Sequence, residues 1–291
     1  MSWRTVVVSR PSKIDLKLNH MVVRDGSETV RVHIDEITLL IIENTACSIT
    51  TALLSELVKK KIKVIFCDEK QNPISELTPY YGSHDCSLKL KSQINWDEFV
   101  KKQIWTEIVA EKIRNQAYVL ECFNLPEWEK LISYVEEIEF FDASNREGHA
   151  AKVYFNSLFG KSFSRSGENA INAALNYGYS ILLSCINREV VCCGCLTQLG
   201  LFHDNMFNKY NLSCDLIEPF RPIVDYEVKT MSLVEFGKEE KQSLLGLLNK
   251  EFLIDDRKQT LLNTIKIYVN SMMNALDNGD VSLIKFFKVR K

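Results

Sequence analysis

The hydrophobic pattern changes once along this chain of 291 residues, and that change constrains the fold more than any other feature. Before residue 78 the apolar residues alternate with polar ones, as in Ile14-Asp15-Leu16-Lys17-Leu18, or form short runs such as Ile37–Ile42. From Trp96 onward they recur with the 3.6-residue period of helices. Residues 78–95 between the two patterns are polar and carry Pro79 and Gly82, which is typical of a linker.

These patterns predict an α+β chain with a small β-rich N-terminal domain followed by a larger all-α C-terminal domain. We place the domains at 1–85 and 86–291, with the first expected to dimerise. Strands are expected around Arg24-Asp25-Gly26-Ser27, a good hairpin turn, and one helix over 50–61. The helices expected in the second domain follow the apolar spacing: 96–120, 127–139, 146–159, 169–188, 222–233, 241–252 and 258–276.

Composition narrows the class of protein. With 46% hydrophobic and 25% charged residues the chain resembles an ordinary globular protein, and no apolar run approaches the roughly 18 residues of a membrane span. The first residues lack the basic start and apolar core of a secretory signal. We therefore expect a soluble, cytoplasmic protein. The net charge of −2 gives no sign of a polyanionic partner.

Nine cysteines, an odd number with irregular spacing, favour reduced thiols over a disulfide framework. Cys192-Cys193-Gly194-Cys195 contains one Cys-x-x-Cys pair. Structural zinc usually takes two such pairs, and only the loosely placed Cys185 and Cys214 could complete this one. Buried thiols are the ordinary interpretation, and the sequence leaves the role of this cluster open.

Three segments carry residues suited to chemistry. Glu147 follows Ser144 and Asn145, either of which can cap a helix, and it shares a face with small and apolar residues. His203 ends an apolar run. In a helix, Asp215, Glu218 and Arg221 would share one face. Taken singly, they suit a solvated helix start, a satisfied histidine and an internal salt bridge. Together, Glu147, His203 and Glu218 form a mixed carboxylate and imidazole set that suits Mg²⁺ or Mn²⁺.

Four motifs in this order resemble a known family. They are Glu-Gly-x-Ala-Ala-x-x-Tyr-Phe (147–155), Leu-Asn-Tyr-Gly-Tyr (175–179), Gly-Leu-x-His (200–203) and Asp-Leu-x-Glu-x-Phe-Arg-Pro-x-Val-Asp (215–225). The set is similar to that of the CRISPR-associated integrase of spacer acquisition, CRISPR-associated protein one. The β-rich and helical halves match that family's layout. The short N-terminus and total length resemble members found beside single-protein RNA-guided effector nucleases, the type II systems.

The resemblance implies a catalytic function. Glu147, His203 and Glu218 would hold Mg²⁺ or Mn²⁺, and the 3′-hydroxyl ends of a short DNA duplex would attack a CRISPR repeat by transesterification. It also implies a homodimer that binds double-stranded DNA (prespacer and repeat) and a small second CRISPR-associated subunit. The RNA-guided effector nuclease is a further expected partner. Candidate phosphate contacts are Arg146, Arg165, Arg188 and Arg221, each of which could instead pair with a nearby carboxylate.

One local feature bears on the direction of the Glu218 side chain. Pro219 follows Glu218 directly, and proline disfavours α geometry in the residue before it. The sequence therefore predicts a kink or a helix start at Glu218.

Two alternatives from other classes stay open. The first is a catalytically silent helical module that binds DNA or protein and keeps only the layout; the intact trio of Glu147, His203 and Glu218 argues against it. The second is an unrelated metal-dependent phosphohydrolase, which would be expected to show His-Asp or paired-Asp motifs. His203-Asp204 is a single instance of such a motif.

Overall fold

The computed structural model describes residues 4–80 and 83–288, and the chain divides into two compact units. The N-terminal unit comprises residues 1–82 and the C-terminal unit residues 83–291. Tyr81 and Gly82 of the predicted linker lie outside the described residues.

The N-terminal unit consists mainly of strands. In chain order its elements are β1 (Arg4–Val8), β2 (Lys13–Lys17), β3 (His20–Arg24), β4 (Thr29–His33), β5 (Ile37–Ile42), β6 (Ser48–Ile49), α1 (Thr51–Lys59), β7 (Lys63–Cys67) and β8 (Pro73–Glu76). The expected hairpin turn joins β3 to β4, and the apolar run Ile37–Ile42 forms the buried strand β5.

Two four-stranded sheets form this unit. In the first, with strand order β1-β5-β7-β8, the first three strands are parallel and β8 is antiparallel to β7. The second has the order β4-β3-β2-β6, with β6 parallel to β2. Apolar side chains from both sheets and from α1 share one core, which includes Ile14, Met21, Leu40, Leu53 and Val64.

The C-terminal unit is mostly helical. Its elements are α2 (Cys86–Ile94), α3 (Glu98–Cys122), α4 (Trp128–Glu136), α5 (Arg146–Phe159), α6 (Ala170–Cys192), α7 (Asn211–Ile217), α8 (Arg221–Thr230), α9 (Lys238–Gly246), β9 (Glu251–Ile254), β10 (Arg257–Thr260) and α10 (Leu261–Asn278). The predicted fold class is confirmed, because a strand-rich region precedes a mostly helical one.

A small hairpin departs from the all-α expectation. Strands β9 and β10 pair antiparallel around Asp255 and Asp256, both of which have positive φ, as a tight two-residue hairpin turn requires. The helices predicted over 241–252 and 258–276 were therefore wrong between 251 and 260. The apolar run Phe252-Leu253-Ile254 suits a strand as well as a helix, and period alone does not separate the two.

The second half of the predicted linker is also helical. Helix α2 leaves its apolar residues Leu88 and Ile94 exposed, and the buried side chain on it is the amide of Gln93. That amide accepts from the Leu196 N–H at 2.8 Å and donates to the Leu196 carbonyl at 2.8 Å. A helix anchored by polar contacts does not give a hydrophobic period, so the pattern indicated a linker.

Helix α3 is the centre of the C-terminal unit. Buried residues occur on all sides of it, including Trp105, Ile108 and Ile113, and it packs against α4, α5 and α8. Across residues 4–80 and 83–288, no helix combines the length and hydrophobicity needed to cross a bilayer.

Candidate active site

Glu147 stands in the first turn of α5, and the residues before the helix fix its position. The Asp142 carboxylate accepts from the N–H of Arg146 at 2.7 Å and from the N–H of Glu147 at 3.1 Å. The Asn145 side chain caps the Gly148 N–H at 3.3 Å. These bonds satisfy amides that a helix start leaves free, and the helix dipole favours an acidic side chain there.

His203 lies in the segment between α6 and α7, which turns around a buried carboxylate. Asp215, on α7, has no solvent exposure, and it accepts from the N–H groups of Leu201 at 2.6 Å, Phe202 at 3.2 Å and His203 at 3.1 Å. Its Oδ1 is also 2.6 Å from His203 Nδ1. The sequence spacing placed Asp215 on a helix face with Glu218, whereas in the structure its partner is His203.

This pairing decides which imidazole nitrogen is left for a ligand. With Nδ1 bonded to Asp215, Nε2 is the nitrogen that can hold a metal, an arrangement in which a carboxylate orients the histidine. The Asp215 hydrogen bond raises the pKa of His203 above its ordinary value, against the effect of burial, and the Glu218 and Glu147 carboxylates add to the rise. The imidazole side chain is 38% exposed, so it is accessible from solvent.

Gly200 allows the turn around Asp215. A Cβ at this position would lie 2.3 Å from the His203 carbonyl oxygen and 2.8 Å from Asp215 Oδ2, closer than real Cβ contacts come. The glycine of the Gly-Leu-x-His motif is thus required by the close approach of backbone and carboxylate.

Glu218 begins a short 3₁₀ helix, Glu218–Phe220, between α7 and α8. The expected interruption at Pro219 is present as this change of helix type, although Glu218 itself keeps helical angles (φ −52°, ψ −44°). Asn115 of α3 donates to the Pro219 carbonyl at 3.0 Å and so ties the 3₁₀ helix to α3. Arg221 Nε donates to Glu218 Oε1 at 2.8 Å.

Lys112 of α3, which the sequence analysis did not single out, joins the two glutamates. Its Nζ lies 2.5 Å from Glu147 Oε1 and 2.5 Å from Glu218 Oε2. Burial would raise the pKa of Glu218, but the charges of Lys112 and Arg221 outweigh it and lower the pKa to about 2. Burial disfavours the ammonium too, yet Glu218 and Glu147 together raise the pKa of Lys112. Glu218 and Lys112 are therefore both charged at neutral pH.

The donor types, rather than their present spacing, suit a divalent ion. Glu218 Oε2 is buried and has no hydrogen-bond partner of good geometry within the described part of the chain, although Lys112 Nζ is near. Two carboxylates and an imidazole are ligands that Mg²⁺ and Mn²⁺ accept. Glu147 and Glu218 meet at one cation, but among residues 4–80 and 83–288 no three His, Cys, Asp or Glu side chains converge as closely as a metal requires.

The four candidate arginines all have partners within the chain. Arg146 pairs with Glu137 at 2.8 Å, and Arg165 donates to Asn172 and Asn176. Arg188 pairs with Glu189. Arg221 pairs with Glu218 and lies over the Tyr179 ring, 4.7 Å from its centroid. Their role toward DNA stays a prediction.

A second buried carboxylate, Asp225 on α8, is held by neutral groups. Tyr154 donates to its Oδ2 at 3.0 Å, and Tyr179 donates to its Oδ1. Burial raises the pKa of Asp225 to about 6, although the two hydroxyls and nearby arginines act in the opposite direction. Gly178 lets α6 approach α8, since a Cβ there would lie 2.5 Å from Val224 Cγ1. The Leu-Asn-Tyr-Gly-Tyr motif thus serves helix packing around Asp225.

The cysteine cluster is not arranged for chemistry. All nine cysteines lie within the described residues and are free thiols. Burial raises the pKa of Cys193 and of Cys195 to about 12, and Cys195 Sγ packs 3.6 Å from Met273 Sδ. Thiols that stay protonated are poor nucleophiles, and in the described part of the chain these cysteines are not grouped with further His, Cys, Asp or Glu side chains as a metal site requires.

Comparison with known proteins assigns the family. The family model described as "CRISPR associated protein Cas1" matches residues 5–265. The CRISPR-associated endonuclease Cas1 of Neisseria meningitidis serogroup C (strain 8013) is 34% identical over 293 residues, covering 98% of this chain and 96% of that protein. The chain therefore belongs to the Cas1 family, as the four motifs indicated.

Two solved structures share the fold. A casposase bound to an integration product superposes with a TM-score of 0.78 at 16% identity, covering 96% of this chain and 92% of the casposase. A chain of a Cas6-RT-Cas1–Cas2 complex gives a TM-score of 0.76 at 16% identity, covering 99% of this chain and 36% of that one.

Proposed function

We propose that this chain is a metal-dependent DNA integrase and endonuclease that inserts short DNA duplexes into a CRISPR repeat during spacer acquisition. The observation that carries the proposal is that Glu147 and Glu218 both contact the Lys112 ammonium. In addition, Asp215 holds Nδ1 of His203. The name of the Neisseria relative, an endonuclease, supports a reaction at phosphodiester bonds. The casposase with its integration product supports the joining of DNA.

Glu147, Glu218 and His203 Nε2 are the groups that would hold Mg²⁺ or Mn²⁺. When bound, the ion would supply Lewis acidity toward the reacting phosphate and the 3′-oxygen. In the joining reaction the 3′-hydroxyl oxygen of the short duplex bonds to a phosphorus of the repeat strand, and the bond from that phosphorus to the repeat strand's 3′-oxygen breaks. The attacking hydroxyl loses its proton and the leaving 3′-oxygen gains one. The number of phosphodiester bonds is unchanged, so no energy source and no covalent enzyme intermediate are needed.

The remaining side chains prepare this site. Asp215 fixes the orientation of His203 through Nδ1, so Nε2 is the nitrogen that would bind the ion. Arg221 holds Glu218 Oε1 and keeps the carboxylate ionised and oriented. Glu147 is positioned by the start of α5, Glu218 by the 3₁₀ helix and His203 by its bond to Asp215 on α7.

The proposed partners follow from the family. Double-stranded DNA is the substrate as prespacer and as repeat, and Arg146, Arg165, Arg188 and Arg221 are proposed phosphate contacts. The relative in a Cas1–Cas2 complex supports a small second subunit. We further propose a homodimer, an association with the RNA-guided effector nuclease of a type II system, and action in the cytoplasm.

The test is an integration assay with purified protein, Mn²⁺, a short duplex and a supercoiled plasmid that carries the repeat, with and without the second subunit. Wild type should join the duplex to the repeat, and Glu147→Ala should lose about 100-fold or more of that activity. The matched control is Glu227→Ala. Glu227 is likewise largely buried and pairs with Lys250 at 2.7 Å, but it belongs to a separate cluster.

Melting temperatures of all three proteins complete the design. A folded Glu147→Ala protein without activity, together with an active Glu227→Ala protein, is the expected result. Normal integration by folded Glu147→Ala would reject the catalytic assignment and favour the silent binding module.

A further inference from the structure

Among residues 4–80 and 83–288, Lys112 is the side chain that pairs with both glutamates of the proposed metal site, Glu147 and Glu218. It projects from the middle of α3, is 8% exposed, and has its ammonium nitrogen 2.5 Å from an oxygen of each carboxylate. A buried lysine is rare unless it is paired, and this one is paired twice.

The two contacts differ in kind. Lys112 donates a hydrogen bond to Glu147 Oε1, whereas Glu218 Oε2 faces the ammonium without hydrogen-bond geometry. The other oxygen of Glu218 is held independently by Arg221 Nε at 2.8 Å. If Lys112 withdrew, Glu218 would keep its orientation through Arg221, and Oε2 would be open to another cation.

A divalent ion that bound these same two oxygens would compete with the Lys112 ammonium for them. Mg²⁺ binds carboxylate oxygens at about 2.1 Å and Nζ lies 2.5 Å from each, so an ion on both oxygens would lie at most about 4.6 Å from the ammonium nitrogen. Like charges at such a separation repel strongly in a partly desolvated site. The ammonium and the metal therefore exclude each other.

We propose that Lys112 is the counter-ion of the metal-free site, which neutralises Glu147 and Glu218 and is displaced when a divalent metal binds. The inference rests on the proposed function in assuming that these glutamates bind metal. A lysine suits this role because its four-carbon stem is flexible and its ammonium is a compact charge, whereas a planar guanidinium would need a fixed geometry.

The proposed role of Lys112 has two measurable consequences. Lys112 stabilises the metal-free protein, because without it two carboxylates would face each other across the site. It also weakens metal binding, because the ion must displace it. A lysine that served only to hold the site together would instead support metal binding, and its removal would weaken affinity.

The experiment is calorimetric titration of MnCl₂ into DNA-free protein, combined with melting temperatures with and without Mn²⁺. For Lys112→Met we expect the apparent Kd for Mn²⁺ to fall about fivefold or more. Its metal-free melting temperature should fall by about 3 °C or more, and Mn²⁺ should raise it further than in wild type.

The matched control is Lys63→Met, which removes another buried lysine, one that pairs with Glu76 in the N-terminal unit. It should lower the melting temperature without changing the Kd for Mn²⁺. If Lys112→Met does not fold without metal, the titration is made with Lys112→Gln, for which the same decrease in Kd is expected.

An unchanged or increased Kd in the folded Lys112 variant would overturn the proposal. A Glu147→Gln protein separates this result from failure of the proposed function. If Glu147→Gln binds Mn²⁺ as tightly as wild type, the metal assignment itself is wrong. If it loses binding while the Lys112 variant does not gain, only the role of Lys112 is rejected.

Discussion

Glu218 and Asp225 are both buried carboxylates on consecutive helical segments, yet their surroundings give them opposite electrostatic character. Cations surround Glu218, with Lys112 on one oxygen and Arg221 on the other, and they lower its pKa to about 2. Asp225 accepts from two neutral tyrosine hydroxyls, and burial raises its pKa to about 6.

The contrast separates function from packing. A carboxylate that neighbouring side-chain cations keep ionised retains the charge that a metal ligand needs, although a buried ion pair contributes little to the stability of a fold. A carboxylate whose two oxygens accept from neutral donors on α5 and α6 joins three helices. Both residues belong to the same sequence motif, so the motif alone does not distinguish them.

The largest effect is expected on the free energy of unfolding when Asp215, the carboxylate that bonds His203, is removed. Asp215→Ala should lower the free energy of unfolding by about 3–5 kcal/mol. It leaves the His203 imidazole and the backbone N–H groups of residues 201–203 without their acceptor. Urea unfolding measures this effect, and integration activity should be lost with it. Asp280→Ala, which removes an exposed carboxylate that accepts from the N–H and the hydroxyl of Ser282, should cost only about 1 kcal/mol. A stable Asp215→Ala protein would show that the turn holding His203 does not depend on this carboxylate.

The second prediction tests Asp225 through the pH dependence of the free energy of unfolding. Because the folded-state pKa of Asp225 is raised from 3.8 to about 6, the folded protein holds this proton more tightly than the unfolded chain. The contribution of Asp225 to stability is thus greatest below pH 4 and is lost as pH rises toward 6, at about 1.4 kcal/mol for each pH unit. Asp225→Asn cannot ionise, so its stability relative to wild type should rise across that range, by up to about 3 kcal/mol. Parallel stability curves for the two proteins would refute the raised pKa.

A smaller effect is expected from one hydroxyl. Tyr154→Phe removes the donor to Asp225 Oδ2 and should cost about 1 kcal/mol in the free energy of unfolding. Tyr268→Phe is the matched control, since the Tyr268 hydroxyl is buried without a hydrogen-bond partner in the described part of the chain. Its removal should be neutral or slightly stabilising. Equal losses from both substitutions would mean that the Tyr154 hydroxyl contributes through packing alone.

Local signals predicted part of this architecture well. Helix α5 was predicted with its observed bounds because capping residues precede it and Gly160 follows it. The strand Ile37–Ile42 was predicted from its apolar run, in which Thr38 is the one polar residue. The hairpin at 251–260 was missed because its apolar residues fit either period, and α2 was missed because it is anchored by Gln93 rather than by apolar contacts.

The site was harder to predict because its contacts join distant segments. His203 meets Asp215 across a turn of twelve residues, which depends on the close approach that Gly200 permits. Lys112 lies in α3, which was predicted from the helical spacing of its apolar residues. That spacing gives no information about a lysine on the same helix. The available signal was its position beside Ile113, where a charged residue in a helix buried on all sides needs a partner.

The central claim, that Glu218 serves chemistry and Asp225 serves packing, is tested most directly by integration with Glu218→Gln and Asp225→Asn at a temperature where both are folded. We expect Glu218→Gln to lose about 100-fold or more of the joining rate and Asp225→Asn to stay within about threefold of wild type. A loss of similar size in both folded variants, or an active Glu218→Gln protein, would contradict the account.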